Sequence, residues 1–561
     1  MLRSKTALLA LILALGSAAR ADEHVMLQGF YWDNDSGWYR RLGSQLDELQ
    51  AGGITAIWLP SPVKCGAGAS SNGYDPYDHY DLGEFDQKGT VATHFGTKQE
   101  LIDLVKAMHD RKMAAYADMV LNHMIGADAQ ETNPIDQKKD WTRFDYAARK
   151  VAPAGAPTWE QVERLLGHPV PHAADEPYLF KKTFSDFHPS AEHRDQNPER
   201  HNAAFGADLC QQHDWVRVGF KLWGDWLTRT VGYDGYRLDF AKGLDDGFLD
   251  DWLNSDSMKG KFAVREYWEG DVNKLDAFYH EADSASVFDF PLFFNGLNPM
   301  CDDTSGNNFD MRTLTACGYS ARNRFRTVTF AENHDTDRSN PIRTDKTMAY
   351  AFILSMEGYP CVFYKDLYVY GLKDQIFQLI GLRKRFAGGS TSVLHADRHV
   401  FVAQRDGTAA TTDGLVMVLN NQAAGLVTVP VKVNKKWAGQ RLWVHAFGGN
   451  VAAVSSGESG KLSGDGAFVP VGADGSASLS APPRGYAIYA IDNAPPPPPP
   501  TPPKNPAMPP KFDLPHDQLV AEHLIKHTHP PQHAPTPARP SPVDPTRSNG
   551  MTEALGGTDP H

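Results

Sequence analysis

Three acidic side chains each follow a short apolar segment of the chain. The segments are Gly235-Tyr-Arg-Leu-Asp239, Phe262-Ala-Val-Arg-Glu266 and Phe330-Ala-Glu-Asn-His-Asp335. An apolar run that ends in a charged residue is typical of a buried strand, and in a barrel of parallel strands the carboxyl ends meet around one cavity. Carboxylates gathered there could cleave a glycosidic bond.

This chemistry needs two carboxyl groups in different protonation states. The acid must hold its proton at neutral pH while the nucleophile is ionised, so their surroundings must push the two pKa values apart. In a retaining hydrolase the two groups lie about 5 Å apart, one attacking the anomeric carbon and the other protonating the departing oxygen. A third carboxylate can stabilise the positive charge that develops on the sugar.

The acids stand within four longer segments. These are Asp118-Met-Val-Leu-Asn-His123, Gly235-Tyr-Arg-Leu-Asp-Phe-Ala-Lys242, Val264-Arg-Glu-Tyr-Trp268 and Phe330-Ala-Glu-Asn-His-Asp-Thr336. In this order they resemble the four conserved blocks of the α-amylase family of retaining glycoside hydrolases. The stretch from Asn72 to Leu101 is similar to the liquefying type of bacterial α-amylase, and the resemblance runs from about Val25 to about Asp492.

The resemblance implies a role for each of these acids. Asp239 would be the nucleophile, Glu266 the general acid and then base, and Asp335 the stabiliser of the distorted substrate. Arg237 lies two residues before Asp239 and shares its face of the strand, because strand side chains alternate. Its charge is expected to keep Asp239 ionised.

The same blocks imply contacts to the sugar. His123 and His334 would donate hydrogen bonds to hydroxyls of the glucose at the cleavage point, and Tyr74 would offer its ring for stacking. Lys242 would reach a sugar on the leaving-group side. Arg265 departs from the family pattern, which has a small residue before the acid, and alternation predicts that Arg265 points away from Glu266 and is paired in the barrel wall.

A calcium site is implied by the same resemblance. Asn122, Asp208 and the main-chain carbonyl of Gly243 fall where the family holds a calcium ion, and Gly243 replaces the usual His. Calcium takes six to eight oxygen ligands at about 2.4 Å, so three are not enough. Asp186 is a further candidate within the excursion after the third strand.

Composition agrees with an exported enzyme. The chain has 561 residues, 41% hydrophobic, which predicts two or three domains, and its net charge of −13 argues against a nucleic-acid partner. Residues 1–21 have the charged start, apolar run and small-residue end of a signal peptide. The apolar run is too short to span a membrane, so we expect a secreted (extracellular or periplasmic) protein. We also expect it to be a monomer.

Five cysteines fit an oxidising compartment but cannot all pair within one chain. Cys301 and Cys317 are the most local candidates for a disulfide. Their pairing stays open at this point.

Strand-like and helix-like patterns alternate along the mature chain, as in a parallel barrel. A helix is predicted at Leu101–Asp110 and another near Leu379–Phe386. Strands are predicted at Val25–Phe30, Ala56–Leu59, Ala114–Asp118, Tyr236–Leu238, Phe262–Val264, Val287–Phe288, Thr327–Phe330 and Val362–Phe363. The fold class is therefore α/β, a (β/α)8 TIM barrel with a loop-rich domain inserted after strand 3.

The remaining chain divides by composition. Short alternating runs after the barrel predict a C-terminal antiparallel β-sandwich. Trp437 and Trp443 would either pack in its interior or stack on a second sugar chain. A Pro-rich segment follows and predicts a stiff linker with a disordered tail. The expected domains are the signal peptide 1–21, the barrel 22–123 and 209–386, the inserted domain 124–208, the sandwich 387–492 and the tail 493–561.

These features together predict a secreted, calcium-dependent hydrolase of internal α-1,4-glucosidic bonds in starch-like α-glucans. One alternative within the family is an enzyme that forms oligosaccharides of fixed length or transfers sugars. Another, from a different class, is a glucan-binding protein without catalysis.

Overall fold

Eight short parallel strands close into a barrel. The computed structural model describes residues 24–192, 206–281, 285–408, 414–450, 462 and 467–491. The barrel strands are β1 Met26–Gln28, β2 Ala56–Leu59, β3 Ala114–Met119, β4 Gly235–Leu238, β5 Phe262–Arg265, β6 Ser286–Phe288, β7 Thr327–Phe330 and β8 Tyr359–Phe363. Each strand pairs with its neighbours in sequence, and β1 pairs with β8 to close the ring. All eight predicted strands are confirmed, with ends that differ by up to three residues.

Helices surround the barrel where the sequence has apolar spacing of three and four. The helix Lys98–Asp110 buries Leu101, Leu104, Val105 and Met108. It begins three residues before the predicted start because Thr97 and Glu100 form a capping box. The described α-helices are Trp38–Gly43, Leu46–Ala51, Lys98–Asp110, Trp159–Leu166, Asp214–Leu227, Asp246–Leu253, Val272–Glu281, Phe290–Leu292, Asn298–Asp302, Thr336–Ser339, Lys346–Ser355, Tyr364–Tyr368 and Lys373–Phe386.

The long excursion lies between β3 and β4. It contains the helix Trp159–Leu166 and the strand pair Ala129–Thr132 with Lys139–Arg143. A second pair, His123–Met124 with Ala207–Asp208, joins the two ends of the excursion. This pairing brings the end of the excursion back beside the carboxyl end of β3.

A predominantly antiparallel region follows the barrel. Six strands form one sheet, and Val427–Lys432 pairs with Ser476–Ala481 in a second. The strands of the larger sheet are Thr391–Ala396, Val400–Arg405, Leu415–Asn420, Arg441–Gly448, Phe468–Pro470 and Gly485–Ala490. A separate apolar core contains Val402, Val418 and Leu479. The predicted sandwich is confirmed, and so is the α/β class of the barrel.

The tryptophans of the sandwich lie in different surroundings. Trp437 is only 2% exposed and belongs to the sandwich core, so it packs and does not offer a face to sugar. Trp443 is half-buried against Phe468, with ring centroids 5.0 Å apart.

The cysteines are all described, and none of the five forms a disulfide. A Cys301–Cys317 disulfide is therefore not formed. The thiol of Cys301 is buried in the helix Asn298–Asp302 and faces the main chain of Ala349, whereas the sulfur of Cys317 lies against Gly296. Closeness in sequence did not bring these two sulfur atoms together because they face different neighbours.

The proposed domain boundaries stay predictions. The predicted signal peptide 1–21 and the predicted tail 493–561 lie outside the described residues. Within the part of the chain that is described, no helix is both long and apolar enough to cross a bilayer.

Candidate active site

The three acids lie at the carboxyl ends of barrel strands. Asp239 follows β4 directly, Glu266 follows β5 directly, and Asp335 is five residues past the end of β7. Main-chain hydrogen bonds continue the barrel through the first two, from Asp239 N to Met119 O at 3.0 Å and from Glu266 N to Leu238 O at 3.0 Å. Asp239 and Glu266 are therefore carried on rigid main chain and not on free loops.

The guanidinium of Arg237 binds three carboxylates at once. Its Nη1 lies 2.8 Å from Asp118 Oδ1 and 2.6 Å from Asp239 Oδ1, and its Nη2 lies 2.7 Å from Glu266 Oε1. Arg237 is 1% exposed. Asp239 and Glu266 thus lie on the two terminal nitrogens of one planar group, close enough for paired acid chemistry.

Burial sets the electrostatics of this cluster. It raises the pKa of Asp239 well above the ordinary range; Arg237 opposes the shift, while Glu266 and Asp118 add to it. Arg237 favours the ionised form of Asp239, as expected, but burial raises the pKa of Asp239 more than Arg237 lowers it. Because one cation faces three buried carboxylates, the cluster as a whole retains a proton to higher pH than an isolated carboxyl would.

The main chain directly after Asp239 is strained. Phe240 has φ of 45° and ψ of 51°, a left-handed conformation that a bulky residue rarely adopts. This turn points the amide of Phe240 at Glu266, whose Oε2 accepts its hydrogen bond at 2.9 Å. The strained residue therefore helps to orient the carboxylate of Glu266.

Two aromatic side chains lie against the carboxylate of Asp335. Its Oδ1 accepts from Trp32 Nε1 at 3.2 Å, and its Oδ2 lies 3.2 Å from His334 Nε2. Burial and the charge of Arg237 lower the pKa of His334 to about 3. The ring is therefore neutral, and its Nδ1 accepts from Gln28 Nε2, which is 2.7 Å away, so that Nε2 carries the proton.

Tyr74 and His123 lie beside the same cluster. Tyr74 donates its hydroxyl to Asp118 at 2.8 Å and stacks on His334 with centroids 5.2 Å apart. Burial lowers the pKa of His123 to about 4, so its ring is neutral, and its Nε2 lies 2.9 Å from the carbonyl oxygen of Tyr74. Because a carbonyl only accepts, this nitrogen carries the proton, and a sugar hydroxyl would have to compete with Tyr74 for it.

Lys242 and Arg265 each pair with an acid outside the cluster. Lys242 Nζ lies 3.3 Å from Glu269 Oε2. Arg265 is fully buried and donates to Asp250 Oδ1 at 2.7 Å. The prediction that Arg265 points away from Glu266 and pairs in the barrel wall is confirmed.

The predicted calcium ligands converge at the base of the excursion. The strand pair places Asp208 opposite His123, and Leu209 N donates to Asn122 O at 2.9 Å. Asn122 is buried, and its Oδ1 has no hydrogen-bond partner among the described residues. A Cβ on Gly243 would lie 2.4 Å from this same oxygen, so glycine leaves the space beside it open.

The donor set suits a hard cation. An amide oxygen, a carboxylate and a main-chain carbonyl are oxygen ligands that calcium prefers. The structure has no cluster of three or more His, Cys, Asp or Glu side chains with metal-site geometry among its described residues. A site here would therefore depend on the amide and carbonyl oxygens. Asp186 is already engaged, since Oδ2 accepts from Thr183 N at 2.8 Å and Oδ1 lies 3.0 Å from His213 Nδ1.

Several residues of the site escaped sequence reasoning. Asp118 was part of a quoted segment but had no role, and Trp58 donates to its Oδ2 at 3.1 Å. Gln28 is the last residue of β1, and Trp32 lies four residues beyond it. Neither side chain is charged, so neither was predicted to belong to the site. Alternation along β3 could have placed Asp118 on the inner face; no signal in the sequence marked Trp32.

Comparisons with known proteins agree with this geometry. The family profile described as "Alpha amylase, catalytic domain" matches residues 32–374. A glucan 1,4-alpha-maltohexaosidase of Bacillus sp. (strain 707) is 32% identical over 476 residues, which are 77% of this chain and 88% of that protein. The α-amylase of Bacillus licheniformis is 32% identical over 76% of this chain and 88% of its own.

More distant proteins share the fold. The cytoplasmic α-amylase of Escherichia coli (strain K12) is 28% identical over 78% of this chain and 95% of its own. The crystal structure of an α-amylase from Geobacillus thermoleovorans, complexed with acarbose, superposes with a TM-score of 0.56 at 17% identity and covers 84% of this chain and 98% of that one. This chain forms a closed barrel with acids at its strand ends. A family profile matches most of this barrel, and the relatives are matched over most of their length. This chain is therefore a glycoside hydrolase of the α-amylase family.

Proposed function

We propose that this enzyme hydrolyses internal α-1,4-glucosidic bonds of starch-like glucans with retention of configuration. The observation that carries the proposal is the placement of Asp239 and Glu266 on the two terminal nitrogens of Arg237. Two carboxyl groups therefore lie close together on one cation, as double displacement requires, and Glu266 also accepts a hydrogen bond from Phe240 N. The side chains of Trp32, His123 and His334 supply neutral N–H groups near these carboxyl groups.

The steps divide between the three acids. Asp239 attacks the anomeric carbon, and Glu266 protonates the departing oxygen; Glu266 then takes a proton from the water that releases the sugar. The first step needs the acid form of Glu266 and the ionised form of Asp239, and the charge of Arg237 favours the latter. Asp335, with Trp32 as its donor and His334 beside it, would stabilise the oxocarbenium-like transition state.

We infer that the site of Asn122, Asp208 and Gly243 holds calcium. The unpartnered Oδ1 of Asn122 supports this inference, together with the open space beside Gly243. Bound calcium would contribute charge neutralisation and cross-linking of oxygen ligands. These residues would tie the end of the excursion to the barrel next to the nucleophile strand.

Export and a monomeric state are also part of the proposal. Export is supported by the sequence pattern of residues 1–21. The similarity to a cytoplasmic relative shows that the fold alone does not decide location. Size-exclusion chromatography of the mature chain would test the monomeric state.

Digestion of soluble starch followed by chromatography of the products tests the activity. We expect a rapid loss of long chains and a spread of product lengths. The alternative of fixed-length products has specific support, because a maltohexaosidase is as similar to this chain as an α-amylase is, at 32% identity. A single dominant oligosaccharide would favour that alternative.

The remaining alternatives have their own outcomes. Addition of acceptor sugars that yields longer products would indicate transfer. Starch binding without any product would indicate a binding protein and reject the proposal.

A further inference from the structure

A second acidic side chain lies on the loop that carries Asp335. Glu332 is three residues before Asp335 and only 1% exposed. Its Oε2 accepts a hydrogen bond from Ile342 N at 2.9 Å, and its Oε1 accepts from the Thr336 hydroxyl. The proposed reaction gives Glu332 no role, because the side chain of Glu332 contacts other groups of the protein.

A buried lysine pairs with Glu332. Lys346 Nζ lies 3.2 Å from Glu332 Oε2 and 2.7 Å from Asp366 Oδ1. Both carboxylates are completely buried, and Lys346 is 9% exposed. Tyr350 donates its hydroxyl to the other oxygen of Asp366. Because Asp366 lies in the helix after β8, the lysine joins the loop after β7 to the next barrel unit.

Hydrogen bonds continue from Glu332 to the main chain of Asp335. The Thr336 hydroxyl donates to Glu332 and accepts from Asn333 N at 2.9 Å. The Oδ1 of Asn333 accepts from Asp335 N at 2.9 Å and from Thr336 N at 2.9 Å. The carboxylate of Glu332 therefore fixes the direction of the Thr336 hydroxyl, which holds the turn that presents Asp335.

We propose that Glu332, paired with Lys346, is a positioning residue that fixes the turn presenting His334 and Asp335 to the substrate. The inference rests on the proposed function, in which Asp335 stabilises the transition state. A carboxylate that acts only in the transition state must be held closely, since a misplacement of about 1 Å can reduce the rate about a hundredfold. Removing the anchor should therefore lower kcat more than it changes KM.

The test compares Glu332→Gln with Glu357→Gln. Glu357 is the matched control, because it also pairs with a basic side chain, that of Arg324, but precedes the amino end of β8. With a chromogenic maltooligosaccharide, we expect Glu332→Gln to lower kcat at least about tenfold and to leave KM within about threefold. Glu357→Gln should leave both within about twofold.

A double-mutant cycle separates positioning from general weakening. In the Asp335→Asn background, Glu332→Gln should have almost no further effect, because residues that act through one group are not additive. If the two losses multiply, Glu332 does not act through Asp335 and the inference is overturned. A native kcat for Glu332→Gln would overturn it as well.

Two further variants keep the test decisive. If Glu332→Gln does not fold, Thr336→Val removes only the relaying hydroxyl, and a native kcat for that variant would overturn the inference. Asp335→Asn alone tests the proposed function. If Asp335→Asn keeps full activity, the role of Asp335 fails, whereas a loss in Asp335→Asn without a loss in Glu332→Gln refutes only the anchor.

Discussion

Single side chains with several simultaneous contacts determine the electrostatics of this site. Arg237 binds Asp118, Asp239 and Glu266 through two terminal nitrogens, which a planar guanidinium can do and a lysine ammonium cannot do in the same geometry. The charge balance that results leaves the cluster short of cations. With burial, this shortage of cations favours a proton retained within the cluster, which the proposed acid catalysis requires.

Asp239→Asn and Glu266→Gln test the two assigned roles. Each should reduce turnover at least about a thousandfold, because each removes a step that its partner cannot perform. Asp234→Asn is the matched control, since Asp234 immediately precedes the amino end of the same strand and contacts His109 and Ala115 N. Steady-state kinetics on maltooligosaccharides would measure all three, and an active Asp239→Asn would reject the nucleophile.

Glu332 predicts a pH dependence of stability. Burial raises its pKa from 4.5 to about 7, while Lys346 opposes the shift and Asp366 adds to it. The folded protein therefore holds this proton more tightly than the unfolded chain does. The stability that this proton contributes is present below pH 4.5 and is lost as the pH rises through 7.

Glu332→Gln should remove that dependence. Denaturant unfolding at pH 5 and at pH 7.5 would measure the free energy of unfolding of both proteins. We expect the native protein to lose more stability across this interval than the variant does. Equal slopes would show that Glu332 does not titrate there.

At the scale of elements, a two-residue strand pair connects the excursion to the barrel. His123–Met124 pairs with Ala207–Asp208, and this pairing brings Asp208 to Asn122. Such a short ladder contributes few hydrogen bonds of its own. Oxygen ligands shared by one cation would stabilise this junction more than the ladder alone.

Chelation of calcium should lower the melting temperature. An ion bound only by the folded form stabilises it by mass action, by about 2.7 kcal/mol at a concentration one hundred times Kd. Thermal unfolding with and without a chelator would measure the change, and returned calcium should restore it. In Asn122→Ala the response should be weaker, and a native protein that melts identically after exhaustive chelation would refute the site.

At the scale of the whole molecule, one arginine ties the sandwich to the barrel. Arg484, directly before a sandwich strand, donates to Asp345 Oδ2 at 2.9 Å and to the carbonyl oxygens of Met300 and Cys301. Asp345 directly precedes Lys346, the partner of Glu332. The sandwich is therefore connected to the helix that anchors the Asp335 loop.

Arg484→Met should destabilise the protein by at least about 2 kcal/mol, because several buried acceptors lose a charged donor. Arg312→Met is the control, since Arg312 forms an exposed pair with Asp310 and should change stability far less than Arg484→Met does. Denaturant unfolding measures both. Equal stability of the two variants would show that Arg484 does not hold the interface.

Local sequence predicted the elements well. All eight barrel strands were visible because each is a short apolar run ending near a polar residue, and their order follows from right-handed parallel connections. The positions of Asp239, Glu266 and Asp335 at strand ends follow from the same pattern. The sandwich was visible because alternation with a period of two replaces the longer helical spacing.

Contacts between distant segments were decided only by the tertiary structure. Asp118 and Arg237 are 119 residues apart, and Glu332 and Asp366 meet only through Lys346. The net shift in the pKa of Asp239 depends on burial, which no local pattern reveals. The reason is physical: periodicity reports which face of an element is apolar, whereas charge balance, desolvation and free lone pairs depend on which elements pack together.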